Sequence, residues 1–313
     1  MLERVHGMPV LFLIHRKSCV TQPKTKGCTM KKAVKDKKEK KSSTSSKSSK
    51  SLKSSKKLGF ALGAGGARGI AHIGFLQAME EEGIKPDYLT GCSMGSVIGA
   101  AYASGMSLDR LHEKAMALRF FDIIKPTKQK GGLFAPQRVR EFLLRHIGDI
   151  EFSDLKIPFH CVAVDMITQN VVELSEGNVL DAVIASSSIP SVFCPTEKNG
   201  MRLVDGGIIE RVPCVQLKNM GADVVVGVDV LGAQQGRDNM PDSIRVLLET
   251  IDIMSNYITK RKYQDNKAII DLWIEPQIEN MSQFTFRNLH FAYEKGYESG
   301  KENVKIIKKL LQN

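Results

Sequence analysis

Short apolar runs alternate with stretches of helical periodicity from residue 58 to the end of the chain. The runs at residues 58–62 and 223–230 are the most apolar and predict buried β-strands. Between residues 70 and 79 the apolar side chains recur at near-helical spacing, and Gly83 marks the end of that predicted helix. The domain is therefore expected to open with a strand and a helix.

Further segments continue this alternation. Strands are predicted at residues 87–90, 159–165, 171–174 and 201–205, and helices at 97–103, 108–119, 136–147 and 178–187. From about Ser243 onward the pattern is mostly helical. Strands that alternate with helices predict an α/β domain, either doubly wound or three-layered.

Residues 1–57 lack this pattern and are strongly basic. In a chain of 313 residues they hold 17 Lys and Arg against 3 Asp and Glu, which leaves 28 against 31 for the rest. The net charge of +11 therefore comes from this leader. From Lys31 to Lys57 the chain is almost entirely Lys and Ser, and with almost no apolar side chains it cannot offset the entropy of ordering. We predict a disordered leader at 1–57 and one domain at 58–313.

Three roles compete for the leader: a solvated tail without a partner, a contact with an anionic membrane surface, and non-specific nucleic-acid binding. A specific nucleic-acid site is not predicted. The apolar run at residues 8–14 is too short to span a bilayer. The six cysteines have no C-x-x-C spacing, so we expect reduced thiols and no zinc site. These features predict a cytoplasmic protein, peripheral at the inner membrane surface if the leader binds lipid.

A Gly91-x-Ser93-x-Gly95 motif lies between the predicted strand at 87–90 and the predicted helix at 97–103. A serine on a sharp strand-to-helix turn is a nucleophile elbow, which presents the hydroxyl at the N-terminus of a helix. The glycines allow the turn because a β-carbon there would collide with neighbouring backbone. A tight turn with a surface serine is the alternative interpretation.

A glycine-rich loop at residues 63–69 follows the first predicted strand. As a dinucleotide site it would follow Gly-x-Gly-x-x-Gly, but Arg68 occupies the position of the third glycine. The other interpretation is an oxyanion hole, in which successive amides at a helix N-terminus bind the negative charge of a tetrahedral intermediate.

Ser93 needs a base, and the residues leave two candidates open. In α/β-hydrolases the order along the chain is Ser, acid, His, and His290 follows the later acidic residues in that order. The other candidate is Asp205, which ends a predicted strand and precedes two glycines that let another loop approach. A plain Asp-Gly turn is the structural alternative for that segment.

Taken in order, these motifs resemble those of the patatin-like phospholipase family. Four blocks match the family's pattern: Ala64 to Gly69, Gly91 to Gly95, Ala185 to Pro190, and Asp205-Gly206-Gly207. The resemblance covers residues 58–230 well and the C-terminal part loosely. One departure is Ala64, which stands where the family has its first loop glycine.

The resemblance implies a three-layer α/β/α fold with a mostly parallel central sheet and a Ser93–Asp205 dyad. The oxyanion donors that it implies are the amides of Gly65, Gly66, Ala67 and Met94. The supporting motif residues are Arg68, Gly69, Gly91, Gly95, Gly206 and Gly207. Arg68 would hold the loop or face a phosphate of the substrate, or it would be a solvated first-turn residue.

We therefore expect a lipid acyl hydrolase of the phospholipase, lysophospholipase or esterase type, acting in lipid breakdown on phospholipids or other acyl esters. No metal or cofactor is expected, because the nucleophile is a side chain and amides hold the oxyanion. A catalytically silent lipid-surface protein of the same fold, and a Ser-Asp-His hydrolase that uses His290, are the alternatives. The oligomeric state is not predicted.

Overall fold

The computed structural model describes residues 56–119, 125–128, 131–232, 243–278, 281–283 and 286–312. Followed from one paired neighbour to the next, the main sheet contains β10 (Leu272–Ile274), β9 (Val224–Val228), β1 (Leu58–Leu62), β2 (Tyr88–Gly91), β4 (Phe159–Asp165), β8 (Met201–Asp205) and β7 (Thr196–Lys198). β5 (Asn170–Leu174) also pairs with β4. The strands β10, β9, β1, β2 and β4 run parallel to one another, whereas β5, β7 and β8 form antiparallel pairs. β3 (Gly132–Phe134) and β6 (Ser191–Phe193) form a separate parallel pair.

The described residues contain eight α-helices and short 3-10 turns. The helices are α1 (Ala71–Glu81), α2 (Met94–Ala103), α3 (Leu108–Ala117), α4 (Gln137–Ile147), α5 (Val179–Ser186), α6 (Cys214–Asn219), α7 (Ser243–Asp265) and α8 (Leu289–Gln312). The helices and strands predicted from the periodicity between residues 58 and 230 are present. Within the described segments, no helix is both long and apolar enough to cross a bilayer.

Alternate residues of β1 face two different layers of helices. Phe60 and Leu62 pack in the core cluster that contains residues of α1 and α2. Gly59 faces α6, where a β-carbon would lie 2.5 Å from Leu217 Cδ1. β9 alternates in the same way, since Val225 packs with the cluster around α6. Helices therefore cover both faces of a mostly parallel sheet, which confirms the predicted three-layer α/β/α fold.

β2 and β8 pair with the same edge of β4, while β5 occupies its other edge. β2 runs parallel to β4, and its last residue, Gly91, lies opposite Cys161. β8 runs antiparallel, and its last residue, Asp205, lies opposite Ala163. The two strand ends therefore point toward each other. This arrangement brings the residues that follow β2 next to the residues at the end of β8.

Four short strands were not predicted. β10 interrupts a segment whose pattern is mostly helical, and β3, β6 and β7 lie in segments with no strand pattern. Each has three residues, which is too short for alternation with period two to be recognised. Pairing with a neighbouring strand, such as that of β10 with β9, makes them strands.

Candidate active site

Ser93 occupies a strained turn between β2 and α2. Its φ of 52° and ψ of −123° lie in a region that residues other than glycine rarely adopt. The Ser93 amide donates to Ser186 Oγ at 3.1 Å, and the Ser96 hydroxyl donates to the Ser93 carbonyl at 2.6 Å. The chain thus forms the strand–turn–helix that the Gly91-x-Ser93-x-Gly95 motif predicts, and two neighbouring serines hold the turn.

The motif glycines allow the elbow to pack closely. A β-carbon at Gly91 would lie 2.6 Å from the Gly95 carbonyl oxygen, and a β-carbon at Gly95 would overlap the Leu62 carbonyl. Gly69 plays the same part in the glycine-rich loop, because a β-carbon there would overlap the side chain of Met94. Any side chain at these positions would push the loop and the elbow apart.

Asp205 lies buried at the end of β8, beside the elbow. Its amide donates to the Ser188 carbonyl at 2.9 Å, and its Oδ1 accepts the Gly207 amide at 2.7 Å. Gly206 follows so close to β4 that a β-carbon would lie 2.6 Å from the Val162 carbonyl oxygen. These contacts fix the carboxyl group at the place where the two strand ends meet.

The Asp205 carboxyl titrates close to neutrality. Burial raises its pKa to about 6, and interactions with the Ser93 hydroxyl, the Gly207 amide and the Cys92 thiol act in the opposite direction. The Cys92 Sγ lies 3.7 Å from Asp205 Oδ1. A carboxylate that lies beside a serine and titrates near pH 6 has a pKa suited to a general base.

The amides of Gly65, Gly66 and Met94 remain available for a ligand. Gly65 and Gly66 line a cavity together with Ser93, and Met94 follows Ser93 directly at the start of α2. Over the part of the chain that the structure describes, none of these three amides donates to a backbone carbonyl. They match three of the four predicted oxyanion donors.

Ala67, the fourth predicted donor, is already engaged. Its amide donates to the Gln283 carbonyl at 2.8 Å, because Gly66 has a φ of 50° and turns the next amide toward the segment at 281–283. Arg68 is buried, and its Nε donates to the Met281 carbonyl at 2.7 Å. The prediction for Ala67 is corrected accordingly. Arg68 holds the loop and is not a solvated residue.

A buried histidine, which the sequence analysis missed, holds the loop from the other side. His72 Nε2 donates to the Gly63 carbonyl at 2.8 Å, and burial lowers the pKa of His72 to about 4. The imidazole is therefore neutral at pH 7, with its proton on Nε2. His72 precedes Ser93 in the chain, whereas the order Ser, acid, His directs attention to residues that follow the nucleophile.

His290 is not positioned to act on Ser93. It lies on α8 with its side chain 66 % exposed, and its Nε2 lies 3.2 Å from Glu294 Oε1. Its ring stacks on Tyr293, and it lines neither of the cavities that border Ser93. The alternative of a Ser-Asp-His hydrolase that uses His290 is therefore wrong. The helix turns this side chain toward solvent and its own i+4 carboxylate.

Two cavities meet at Ser93. One, of about 120 Å³, is apolar, with a lining that includes Val97, Leu118, Phe142, Ile184, Val192 and Phe193. The other, of about 60 Å³, contains the polar side chains of Asp205, Arg211, Asp252, Ser255 and Gln283. Gly66 and Ser93 border both cavities. An ester carbonyl placed at Ser93 would have an apolar space on one side and a polar space on the other.

A network of polar side chains links α7 to the residues after Asp205. Arg211 forms a buried ion pair with Asp229 at 3.6 Å, and its Nη2 donates to Ser255 Oγ at 3.2 Å. The Ser255 hydroxyl donates in turn to the Gly207 carbonyl. The sequence analysis did not find these residues, because no local pattern indicates that they meet.

Comparisons with known proteins bear on the family of this chain. Residues 60–218 match the model of a family described as patatin-like phospholipase. An uncharacterized NTE family protein of Mycobacterium tuberculosis is 34 % identical over 191 residues, which cover 59 % of this chain and 53 % of that protein. A lysophospholipase of Emericella nidulans, nte1, is 28 % identical over 284 residues, which cover 80 % of this chain and 18 % of that protein. The chain thus spans about half of the first relative and less than a fifth of the second.

Among solved structures, VipD from Legionella pneumophila is similar over 82 % of this chain and 67 % of its own, with a TM-score of 0.46 and 12 % identity. At this level the similarity bears on neither activity nor substrate. The match to the family model covers the glycine-rich loop, the elbow and Asp205-Gly206-Gly207 in one continuous stretch. The chain belongs to the patatin-like phospholipase family.

Proposed function

We propose that this protein is a serine lipid acyl hydrolase in which Ser93 is the nucleophile and Asp205 is the base. The observation that carries the proposal is the placement of Ser93 and the buried Asp205 carboxyl in one cavity, where the ends of β2 and β8 meet. The family match and the name of the fungal lysophospholipase support a lipid ester as the substrate.

In the first half of the reaction, Ser93 Oγ attacks the ester carbonyl carbon while its proton passes to Asp205. The amides of Gly65, Gly66 and Met94 bind the oxyanion of the tetrahedral intermediate, and loss of one such donor costs about 3 kcal/mol of transition-state stabilisation. The intermediate then expels the alcohol, which takes the proton from Asp205. An acyl group remains on Ser93.

In the second half, Asp205 takes a proton from water, which attacks the acyl carbonyl. The second tetrahedral intermediate expels Ser93 Oγ, which regains a proton from Asp205, and a fatty acid leaves. No step requires a group other than these side chains, the amides and water. The mechanism therefore uses two functional side chains, with no histidine.

The two cavities support a division of the substrate into an apolar and a polar half. The apolar cavity, lined by residues such as Val97 and Phe142, suits an acyl chain, whose burial is favourable by about 0.8 kcal/mol for each methylene. The polar cavity beside Asp205 suits the alcohol half and the attacking water. Phospholipids, lysophospholipids and other acyl esters all fit this division, so the substrate class is an acyl ester of a polar alcohol.

Reaction with a fluorophosphonate probe tests this proposal, because the probe traps an activated serine whatever the natural substrate. We expect the wild-type chain to be labelled and to hydrolyse a soluble aryl ester. Ser93→Ala should lose labelling, and Asp205→Asn should lower turnover by about three orders of magnitude or more.

Two variants serve as controls. Ser104→Ala removes another serine hydroxyl, one that donates to the Ala101 carbonyl at the end of α2, and should keep full labelling. His290→Ala should also keep activity, since its side chain lies on the surface. Wild-type turnover in either Ser93→Ala or Asp205→Asn would contradict the mechanism. A wild-type chain that is not labelled would favour a catalytically silent protein.

A further inference from the structure

α7 carries an exposed row of large apolar side chains. Val246 and Leu247 are 47 % and 46 % exposed, Ile253 and Met254 are 71 % and 60 %, and Tyr257 is 75 % exposed. Their positions differ by 1, 7, 8 and 11 residues from the first, which places them on one face of the helix. We call these five residues the outer row.

The opposite face of α7 belongs to the candidate active site. Leu248, Ile251, Asp252 and Ser255 line the polar cavity that borders Ser93 and Asp205. An ordinary amphipathic helix has polar residues on the face that points away from the protein. α7 is instead apolar where it meets solvent, so a single helix separates the cavity from this apolar surface.

Polar groups around the outer row fit an anionic lipid surface. The Thr250 hydroxyl, which lies within the row, donates to the Val246 carbonyl at 2.8 Å and so needs no other partner. Lys260 and Arg261 are exposed one turn further along the same face, and Arg261 also pairs with Asp265 at 3.1 Å. Half-buried Glu249 lies at the edge of this face. An apolar row that ends in an aromatic ring and two cations is typical of helices that lie in the membrane interface.

A second copy of the chain fits the row less well. From Val246 to Tyr257 the row is about 17 Å long and about 10 Å wide. It offers each partner about 200 Å², whereas a stable interface buries about 800 Å² on each side. Insertion of a few side chains into a lipid surface needs no such area.

We propose that the outer row of α7 docks onto anionic lipid surfaces and holds the Ser93 cavity about one helix diameter, about 10 Å, from the lipid. This inference rests on the proposed function, because a lipid substrate is what makes a lipid surface the relevant partner. Docking through the outer row can be distinguished from a membrane contact made by the basic leader. Docking through apolar side chains persists at high salt, whereas salt screens the attraction of lysines to anionic lipid.

Co-sedimentation with mixed phosphatidylcholine and phosphatidylglycerol vesicles tests the proposal on the full chain at low and high salt. We expect Ile253→Ser to weaken binding at high salt by about tenfold. Ile306→Ser is the matched control, because it makes the same change at a side chain that is 46 % exposed on α8, and it should bind like the wild type. Loss of all wild-type binding at high salt, or equal loss in both variants, would overturn the proposal.

Fluorescence of the conservative variant Tyr257→Trp, which is expected to fold, gives a second test of docking. Tyr257→Trp adds a reporter to a protein whose single tryptophan, Trp273, lies on β10. On vesicles, its emission should shift to shorter wavelength and be quenched by lipids that carry brominated tails, whereas emission of the wild type should not change. An unshifted, unquenched signal from vesicle-bound Tyr257→Trp would show that the row stays in water.

Two outcomes separate this proposal from others. If wild type is a dimer that Ile253→Ser converts to monomer with unchanged vesicle binding, the row is an interface between copies and the proposal is wrong. Vesicle binding is also measured for the Ser93→Ala variant, because binding does not depend on ester hydrolysis. A Ser93→Ala chain that still hydrolyses ester but binds vesicles through the row would overturn the proposed nucleophile and leave the docking surface standing.

Discussion

Asp205 combines two properties that normally oppose each other, since it is buried and its proposed role requires ionisation. Burial raises its pKa to about 6, so at neutral pH the carboxyl is mostly ionised but remains a usable base. Interactions with Ser93, Gly207 and Cys92 keep the pKa from rising further. The acid–base properties of the site thus depend on three identifiable neighbours.

The pH dependence of kcat/KM on a soluble ester should follow this carboxyl. Below about pH 6 Asp205 is protonated and cannot accept the serine proton, so activity should fall tenfold for each further unit of pH. Cys92→Ala removes a hydrogen bond that lowers the pKa, and its acid limb should move to higher pH. An acid limb that stays in place in Cys92→Ala would show that the limb reports another group.

Protein stability should depend on the same carboxyl with the opposite sign from an ordinary aspartate. The folded pKa of about 6 lies above the ordinary value of 3.8. The contribution of Asp205 to stability is therefore greatest below pH 3.8 and is lost as pH rises through 6. Above pH 7 the buried charge costs about 3 kcal/mol. Asp205→Asn should therefore raise the free energy of unfolding at pH 8, with little gain near pH 4.

Asp165→Asn provides the control of opposite sign in urea unfolding. Hydrogen bonds from the amide of Arg202 and from the residues of the following turn lower the pKa of Asp165 to about 2. Its contribution is present above pH 3.8 and is lost as pH falls through 2, so this variant should be less stable at pH 8. An Asp205→Asn variant that loses stability at pH 8 would contradict the pKa assigned to Asp205.

At the scale of elements, the crossing of α1 and α8 fixes the start of α1, where His72 holds the glycine-rich loop. A β-carbon at Gly296 would overlap the Ala71 carbonyl, and a β-carbon at Gly74 would overlap the Tyr293 carbonyl. The two helices therefore approach at backbone distance. Close contact between these helices keeps the first turn of α1, and hence His72, in register with Gly63.

Gly296→Ala tests this packing through the sign of its effect. In an open helix, alanine would be about 1 kcal/mol more stable than glycine. Here the added methyl group must displace α1, and we expect a loss of about 1–3 kcal/mol in urea unfolding. Glu302→Ala, at an exposed position of α8, should change stability by no more than about 0.5 kcal/mol. A stabilised Gly296→Ala would contradict the close approach.

At the scale of the whole molecule, we predict different roles for the basic leader and the domain. The leader would contact anionic membranes, and the domain would hydrolyse the ester. Lys57 belongs structurally to the domain, because its Nζ pairs with Asp87 at 2.7 Å and its amide donates to Asp223 at 2.8 Å. A leader deletion that preserves these contacts must stop short of them, for example after residue 52.

Removal of residues 1–52 should lower binding to anionic vesicles by about tenfold or more at low salt, because each lysine near the surface contributes about 1 kcal/mol. At high salt the two proteins should bind alike, and turnover of a soluble ester should be the same. Co-sedimentation and an aryl ester assay measure both effects. Equal vesicle binding at low salt would exclude the leader as a membrane contact.

Much of the site could be predicted from the sequence because its chemistry lies in short local patterns. The strand–turn–helix around Ser93 was predicted from the apolar runs on either side and from the two motif glycines, which a tight turn needs. Asp205 was found because it ends an apolar strand and precedes two glycines. The apolar residues and glycines of these segments stand at fixed local spacings, so periodicity and turn chemistry were sufficient to identify them.

Only the tertiary structure favours Asp205 over His290 as the proposed base. It depends on β2 and β8 sharing one edge of β4, and on α8 turning His290 to solvent. The engagement of the Ala67 amide by Gln283, the support from His72 and the exposed face of α7 were likewise not visible in the sequence. Each depends on which distant segment packs against which surface, and the energy of such contacts has no local pattern in the chain.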